Sequence, residues 1–175
     1  MSAELIVASD SHGRGDLLKK LELAYPRADL FLHCGDLEED PNMYPRWIFV
    51  RGNNDWVFDV PEIRVLQIEG HKIMITHSHL FGYRNRKEAM AARARENGCD
   101  LVLFGHSHHS EIDRIHGVTL VNPGSIAYPR DGNPPSYAKI KLEKDREPEA
   151  EIIFENEWPF GFQKEVRHRR RRFFG

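Results

Sequence analysis

Five short apolar runs of four or five residues each stop at side chains able to hold a metal, and this pattern restricts the chain more than any other feature. Residues 5–8 lead to Asp10 and His12, residues 30–34 to Asp36, residues 47–50 to Asn53, residues 72–76 to His77, and residues 101–104 to His106 and His108. Runs of this length bounded by glycine read as buried strands. In layered α/β sheets, ligands gather at the carboxyl ends of strands, so a fold that buries these runs side by side collects their ends in one place.

The intervening segments supply the rest of the layers. Leu17, Leu18, Leu21 and Ala24 recur at helical spacing, and the helix should end near Tyr25, since the residue before Pro26 is pushed out of the α region. Residues 86–97 predict a second helix, with Ala89, Met90, Ala92, Arg93 and Ala94, no β-branched residue, and Gly98 as the C-cap. Residues 63–68 and 72–76 form a hairpin through Glu69-Gly70, and 112–115 with 118–121 another through His116-Gly117. Loop chemistry at Asn122-Pro123-Gly124-Ser125 follows, then strands at 137–142 and 152–154. Strands alternating with helices early and hairpins late predict an α/β or α+β layered domain, with a mixed sheet or two stacked sheets covered by helices. That domain spans residues 1–156, and 157–175 form an aromatic and basic tail.

A composition of 40% hydrophobic and 30% charged residues, with a net charge of -2, is that of an ordinary globular protein, neither disordered nor membrane-embedded. No run approaches the ~18 apolar residues of a membrane span, and the first residues lack the basic segment of a secretory signal, so cytoplasmic residence is expected. Cys34 and Cys99 are then thiols. The tail carries Arg167, Arg169, Arg170, Arg171 and Arg172; it reads as a docked or solvated segment in preference to a nucleic-acid-binding one. Homo-oligomerisation is left open.

Asp10 or Asp36 taken singly reads as a turn or helix cap, and a lone histidine such as His33 or His71 as a hydrogen-bonded side chain. Seven residues at ligand spacing do not reduce to caps. Carboxylate, imidazole and amide oxygen together suit Mn, Fe, Co, Ni or Zn. The Asp-x-His and His-x-His pairs put alternate residues on one side of an extended segment, and Asp36 is the candidate bridge between two metals. Glycines before Asp36, Asn53 and His106 would let the backbone turn sharply there.

The order Asp10-x-His12, Gly35-Asp36, Gly52-Asn53-x-Asp55, His77, Gly105-His106-x-His108 resembles the calcineurin-like metallophosphoesterases, and most of all their small single-domain bacterial and archaeal phosphodiesterases. The resemblance implies a β-sandwich flanked by helices and two divalent metals, manganese first among them. One would be bound by Asp10, His12, Asp36 and His108, the other by Asp36, Asn53, His77 and His106. It further implies a metal-bridging hydroxide that attacks phosphorus in line, with Asp55 orienting a neighbour.

Many members carry histidine where this chain has Asn54, and asparagine cannot donate a catalytic proton. General acid help is worth ~100- to 10,000-fold, so its loss shifts the expected substrate from alkyl monoesters to small phosphodiesters or activated esters, with His79 as a candidate substitute donor. The rival readings are a nuclease or phosphomonoesterase, and a non-catalytic scaffold like the retromer subunit of this fold. A scaffold should have lost imidazole ligands, and here each expected position is filled.

Overall fold

The computed structural model describes residues 1–160; the basic run at 166–175 lies outside the described residues. Ten strands, β1 (Ser2–Ala8), β2 (Leu30–His33), β3 (Trp47–Phe49), β4 (Ile63–Ile68), β5 (His71–Thr76), β6 (Leu101–Phe104), β7 (Ser110–Ile115), β8 (Val118–Pro123), β9 (Ser136–Glu143) and β10 (Glu149–Phe154), form two five-stranded sheets. Their orders are β10-β9-β1-β2-β3 and β4-β5-β6-β8-β7, and each sheet is mixed. Helices α1 (Gly15–Ala24) and α2 (Arg86–Glu96) complete the layers. No helix among the described residues is long and apolar enough to cross a membrane.

Alternation along each strand decides which layer a side chain joins. Leu5 and Val7 of β1 meet Ile73, Ile75, Leu101 and Leu103 of the other sheet in the centre of the sandwich. Ile6 and Ala8 face the opposite way, onto Leu17, Leu18 and Leu21 of α1. Met74, Val102 and Phe104 likewise turn outward onto Met90, Ala91 and Ala94 of α2. These strands are buried on both faces, which is why they read as unbroken apolar runs. Each fully buried aliphatic side chain contributes ~1.5 to 3 kcal/mol, so the central layer is where truncation costs most.

Glu69 and Gly70 both take positive φ, as do His116 and Gly117, which is what two-residue hairpin turns of the I′ type require. The edge strands β7 and β10 begin two and three residues before the apolar runs that mark them, because antiparallel pairing continues through polar residues that face water. The parallel strands β1, β2 and β3 in one sheet, and β5, β6 and β8 in the other, discharge their carboxyl ends at the same edge of the sandwich. After β10, Trp158 packs on Tyr137 and donates its indole N–H to the Ile153 carbonyl at 3.1 Å, closing the far side of the α1 layer.

Candidate metal centre

At that shared edge Asp10, His12, Asp36, Asn53, His77, His106 and His108 converge. Five of them, Asp10, His12, Asp36, His106 and His108, hold positive φ values of 42 to 77°. A non-glycine residue there costs ~1 to 3 kcal/mol, and such strain collects where geometry serves a site. Backbone bonds tie the loops together: Asp10 N–H donates to the Gly35 carbonyl at 3.0 Å and His12 N–H to the Asp36 carbonyl at 3.0 Å.

The proton positions on the histidines follow from their partners. His77 Nδ1 lies 2.7 Å from the Cys34 carbonyl, His108 Nδ1 2.6 Å from the Tyr128 carbonyl, and His12 Nδ1 2.7 Å from a Glu38 carboxylate oxygen. Only N–H donors satisfy those acceptors, so in the neutral rings every Nε2 presents a lone pair to the site. There His12 Nε2 and His108 Nε2 stand 3.1 Å apart. Asp10 Oδ1, 3.3 Å from His108 Nε2, is buried and has no hydrogen-bond donor among the described residues. With both rings neutral, three electron-pair donors face one another there with no proton between them, an arrangement that a cation resolves.

A second group abuts the first. His77 Nε2 is 3.0 Å from Asn53 Oδ1 and 3.3 Å from Asp36 Oδ2, and His106 Nδ1 is 3.0 Å from the same Asn53 oxygen. Asp10-His12-His108 and Asp10-Asp36-His77 each bring three ligand atoms within 4.8 Å of one another. These residues fit divalent metals in number and chemistry. Burial works to raise the Asp36 carboxyl, but with His77 protonated the hydrogen bond and charge of that ring outweigh it and hold Asp36 well below the usual carboxylate range; a cation at Nε2 would take the place of that proton. His106 is pushed down to about 4 by burial, with the charges of His77 and Arg86 adding to it, which leaves its ring neutral and free to ligate.

The other expected site residues surround these ligands, Asp55 buried beneath them. Asn54 donates its backbone N–H to Asp36 Oδ1 at 2.9 Å and its side-chain amide to Asp36 Oδ2 at 3.1 Å. Asp55 accepts from the backbone N–H groups of Asp36, Gly52 and Glu38 at 2.7, 2.9 and 2.9 Å, pinning the β2 and β3 loops to each other. The His79 ring stands 5.5 Å from His77 and 6.3 Å from His106, beside the second group and outside it.

Several supporting residues are added by the structure. Glu38 braces His12, and Ser9 Oγ donates to Asp10 Oδ2 at 2.6 Å. Ser125 Oγ donates to the Asp10 carbonyl at 2.8 Å and accepts the Tyr128 N–H at 2.7 Å, so the loop after β8 holds Asp10 and the carbonyl that orients His108. The Asn-Pro-Gly-Ser segment signalled that loop; nothing in the sequence signalled Glu38. Of the three glycines expected to turn the chain sharply, Gly35 does so, at φ +103°. Gly52 and Gly105 serve by leaving space: a Cβ on Gly52 would overlap the Asp36 carboxylate, and one on Gly105 the Ser9 hydroxyl. The need there is close approach between loops, with no positive φ.

Residues 4–145 match the family model of the calcineurin-like phosphoesterase superfamily domain. The chain belongs to that superfamily. A probable metallophosphoesterase of Bacillus subtilis, YsnB, is 36% identical over 145 residues, covering 81% of this chain and 85% of the relative. Phosphodiesterase YfcE of Escherichia coli is 32% identical over 102 residues, 53% of this chain and 51% of its own. A predicted phosphoesterase of Streptococcus pneumoniae has a solved structure that superposes with a TM-score of 0.83 at 27% identity, covering 91% of this chain and 94% of that one. The two mixed sheets with two helices are the calcineurin-like phosphoesterase fold.

Proposed function

We propose that this phosphoesterase cleaves phosphodiesters with two divalent metal ions, one held by Asp10, His12, Asp36 and His108 and the other by Asp36, Asn53, His77 and His106. The observation that carries the reading is the set of proton-free donors around the orphaned Asp10 Oδ1. Bound metals of this kind supply Lewis acidity to the phosphoryl oxygens and lower the pKa of water from 15.7 towards about 7. Manganese is the first metal to test, with Fe, Ni, Zn and Co as alternatives for the same donors.

The chain's own groups point to diesters. Asn54 spends its amide on Asp36 and has no acidic proton, so a poor leaving group receives no help from that position. His79, its ring 5.5 Å from His77 and 6.3 Å from His106, is the nearby imidazole that could protonate a leaving oxygen in place of Asn54. Asp55 and Glu38 hold the loops and ring orientation on which the metal positions depend. The complete donor set favours an enzyme over a scaffold, and the YfcE likeness supports diester chemistry.

A screen of cyclic nucleotides, dinucleotides, nucleotide diesters and monoesters with added manganese, with Asp36→Asn as inactive control, tests this directly. Hydrolysis of bis(p-nitrophenyl) phosphate faster than of sugar phosphates is expected, together with stoichiometric metal in protein purified without chelator. Absence of both metal and turnover would leave the scaffold reading standing.

A further inference from the structure

Beside the second ligand group, a cleft of about 330 Å³ is bordered by Ser78, Tyr83, Asn85, Arg86, Gly105 and Ser107. Its wall is continuous with the centre: Ser78 follows His77, while Gly105 and Ser107 flank His106. Ser78 Oγ donates to the Gly105 carbonyl at 3.1 Å, so the two strand ends meet as one rigid floor. Any group esterified to a phosphate held at Asn53, His77 and His106 therefore has this cleft as a neighbour.

The half-buried Arg86 is the cation that remains available there. Its Nε donates to the Phe81 carbonyl at 3.1 Å and its guanidinium lies 5.0 Å from the centre of the Tyr83 ring. No carboxylate pairs with it, and its two terminal nitrogens carry no hydrogen bond among the described residues. Lys87, next in sequence, is already neutralised by Glu111 at 3.2 Å and Asp113 at 2.9 Å. Glu88 and Glu111 also border the cleft, Glu111 paired with Lys87 and neither carboxylate paired with Arg86 among the described residues. A guanidinium anchored through Nε and supported by a ring keeps its planar fork free, which is the geometry that grips a phosphate by two bonds.

We propose that Arg86 and this cleft form a subsite for a second phosphate of the substrate, so that the natural ester carries an anionic group beside the scissile phosphate. The proposal rests on the phosphoester reading of the metal centre. It adds a specificity residue that neither the metal ligands nor Asn54 supplies. A charge-assisted bidentate contact of this kind corresponds to about ten-fold or more in affinity.

Calorimetric titration of metal-loaded protein with adenosine 3′,5′-bisphosphate and with 5′-AMP reads the subsite without turnover. The bisphosphate should bind about ten-fold more tightly to the wild type. Arg86→Gln should erase the difference, and Arg86→Lys, which keeps the charge but loses the fork and the Phe81 anchor, should retain part of it. Equal affinities in the wild type, or an undiminished preference in a folded Arg86→Gln protein, overturn the proposal. Kinetics on the dinucleotides pApA and ApA form the second arm, with the ratio of their kcat/KM values falling about ten-fold on Arg86→Gln. If no diester is cleaved with any metal while the bisphosphate preference persists and depends on Arg86, the diesterase reading fails and the phosphate subsite stands.

Discussion

Asp10 Oδ1 and His108 Nε2 lie 3.3 Å apart inside the protein, and a neutral His108 ring, its proton committed to the Tyr128 carbonyl, has none to give the carboxylate. The Asp10 carboxylate already takes hydrogen bonds on Oδ2, from the Ser9 hydroxyl and the His106 N–H, which leaves Oδ1 for a cation. Divalent metal should therefore stabilise the fold itself. At a metal concentration one hundred times Kd the gain is ~2.7 kcal/mol, visible as a rise in Tm. Asp10→Asn should fold, lose that rise and lose activity; an unchanged metal-dependent Tm in that variant would place the ion elsewhere.

Close approach makes a second test possible away from the ligands themselves. Gly52→Ala inserts a methyl where the Asp36 carboxylate and amide sit, and Gly105→Ala inserts one against Ser9. Displaced by either, the neighbouring loop misplaces a ligand, and metal affinity should fall by roughly the 10- to 100-fold that losing a supporting contact costs. Stoichiometry by metal titration checks this. Gly13→Ala is the comparison: with open space but φ +83°, it should cost stability and spare metal binding.

The strand ends were legible because both faces of β1, β2, β5 and β6 are buried, so their apolar runs stop where the chain leaves the sandwich. The hairpins were legible through Glu69-Gly70 and His116-Gly117. What the sequence could not show is that β1 pairs with β9, residue Leu5 against Ile140, since no local pattern encodes a partner so distant. Within the site, the candidate ligands that the structure brings together could be picked out by residue type, while the groups that orient them could not. Cys34 and Tyr128 act through backbone carbonyls, which every residue has, and Glu38 reaches His12 only because the loop turns through positive φ at Asp36 and Glu38.

Far from the candidate metal centre, His71 links the two sheets. Its Nδ1 lies 2.6 Å from Asp100 and its Nε2 2.7 Å from the Glu143 carbonyl, with the charge of Asp145 nearby. Burial lowers its pKa, but these acceptors outweigh burial and raise it above 6.5. A raised value in the folded state means that the protonated ring stabilises the fold. That contribution is complete below the ordinary imidazole value and is lost as pH climbs through the higher, folded one. Denaturant unfolding of the wild type should thus show stability falling on the alkaline side of about pH 6.5. His71→Gln should be destabilised by about 1 to 3 kcal/mol at acidic pH and show a flatter profile. An equal deficit at acidic and alkaline pH would mean that the ring acts by packing alone.

Asn54 offers the most direct change of specificity. Its backbone N–H holds Asp36 Oδ1 whatever the side chain, so replacing the side chain gives up only the 3.1 Å amide contact to Oδ2. Asn54→His then places a titratable donor at the rim, where an alkyl leaving group needs a proton and a nitrophenolate does not. On the general-acid scale of ~100- to 10,000-fold, even partial alignment should raise kcat on glycerol phosphate by tens of times, with little change on bis(p-nitrophenyl) phosphate. The gain should appear as a new limb in the pH profile of kcat, falling as the introduced imidazole loses its proton. A monoesterase rate that stays flat while the variant retains its metals would show that position 54 does not face the leaving group. Asp36 orientation, and no missing acid, would then have to account for the proposed diester preference.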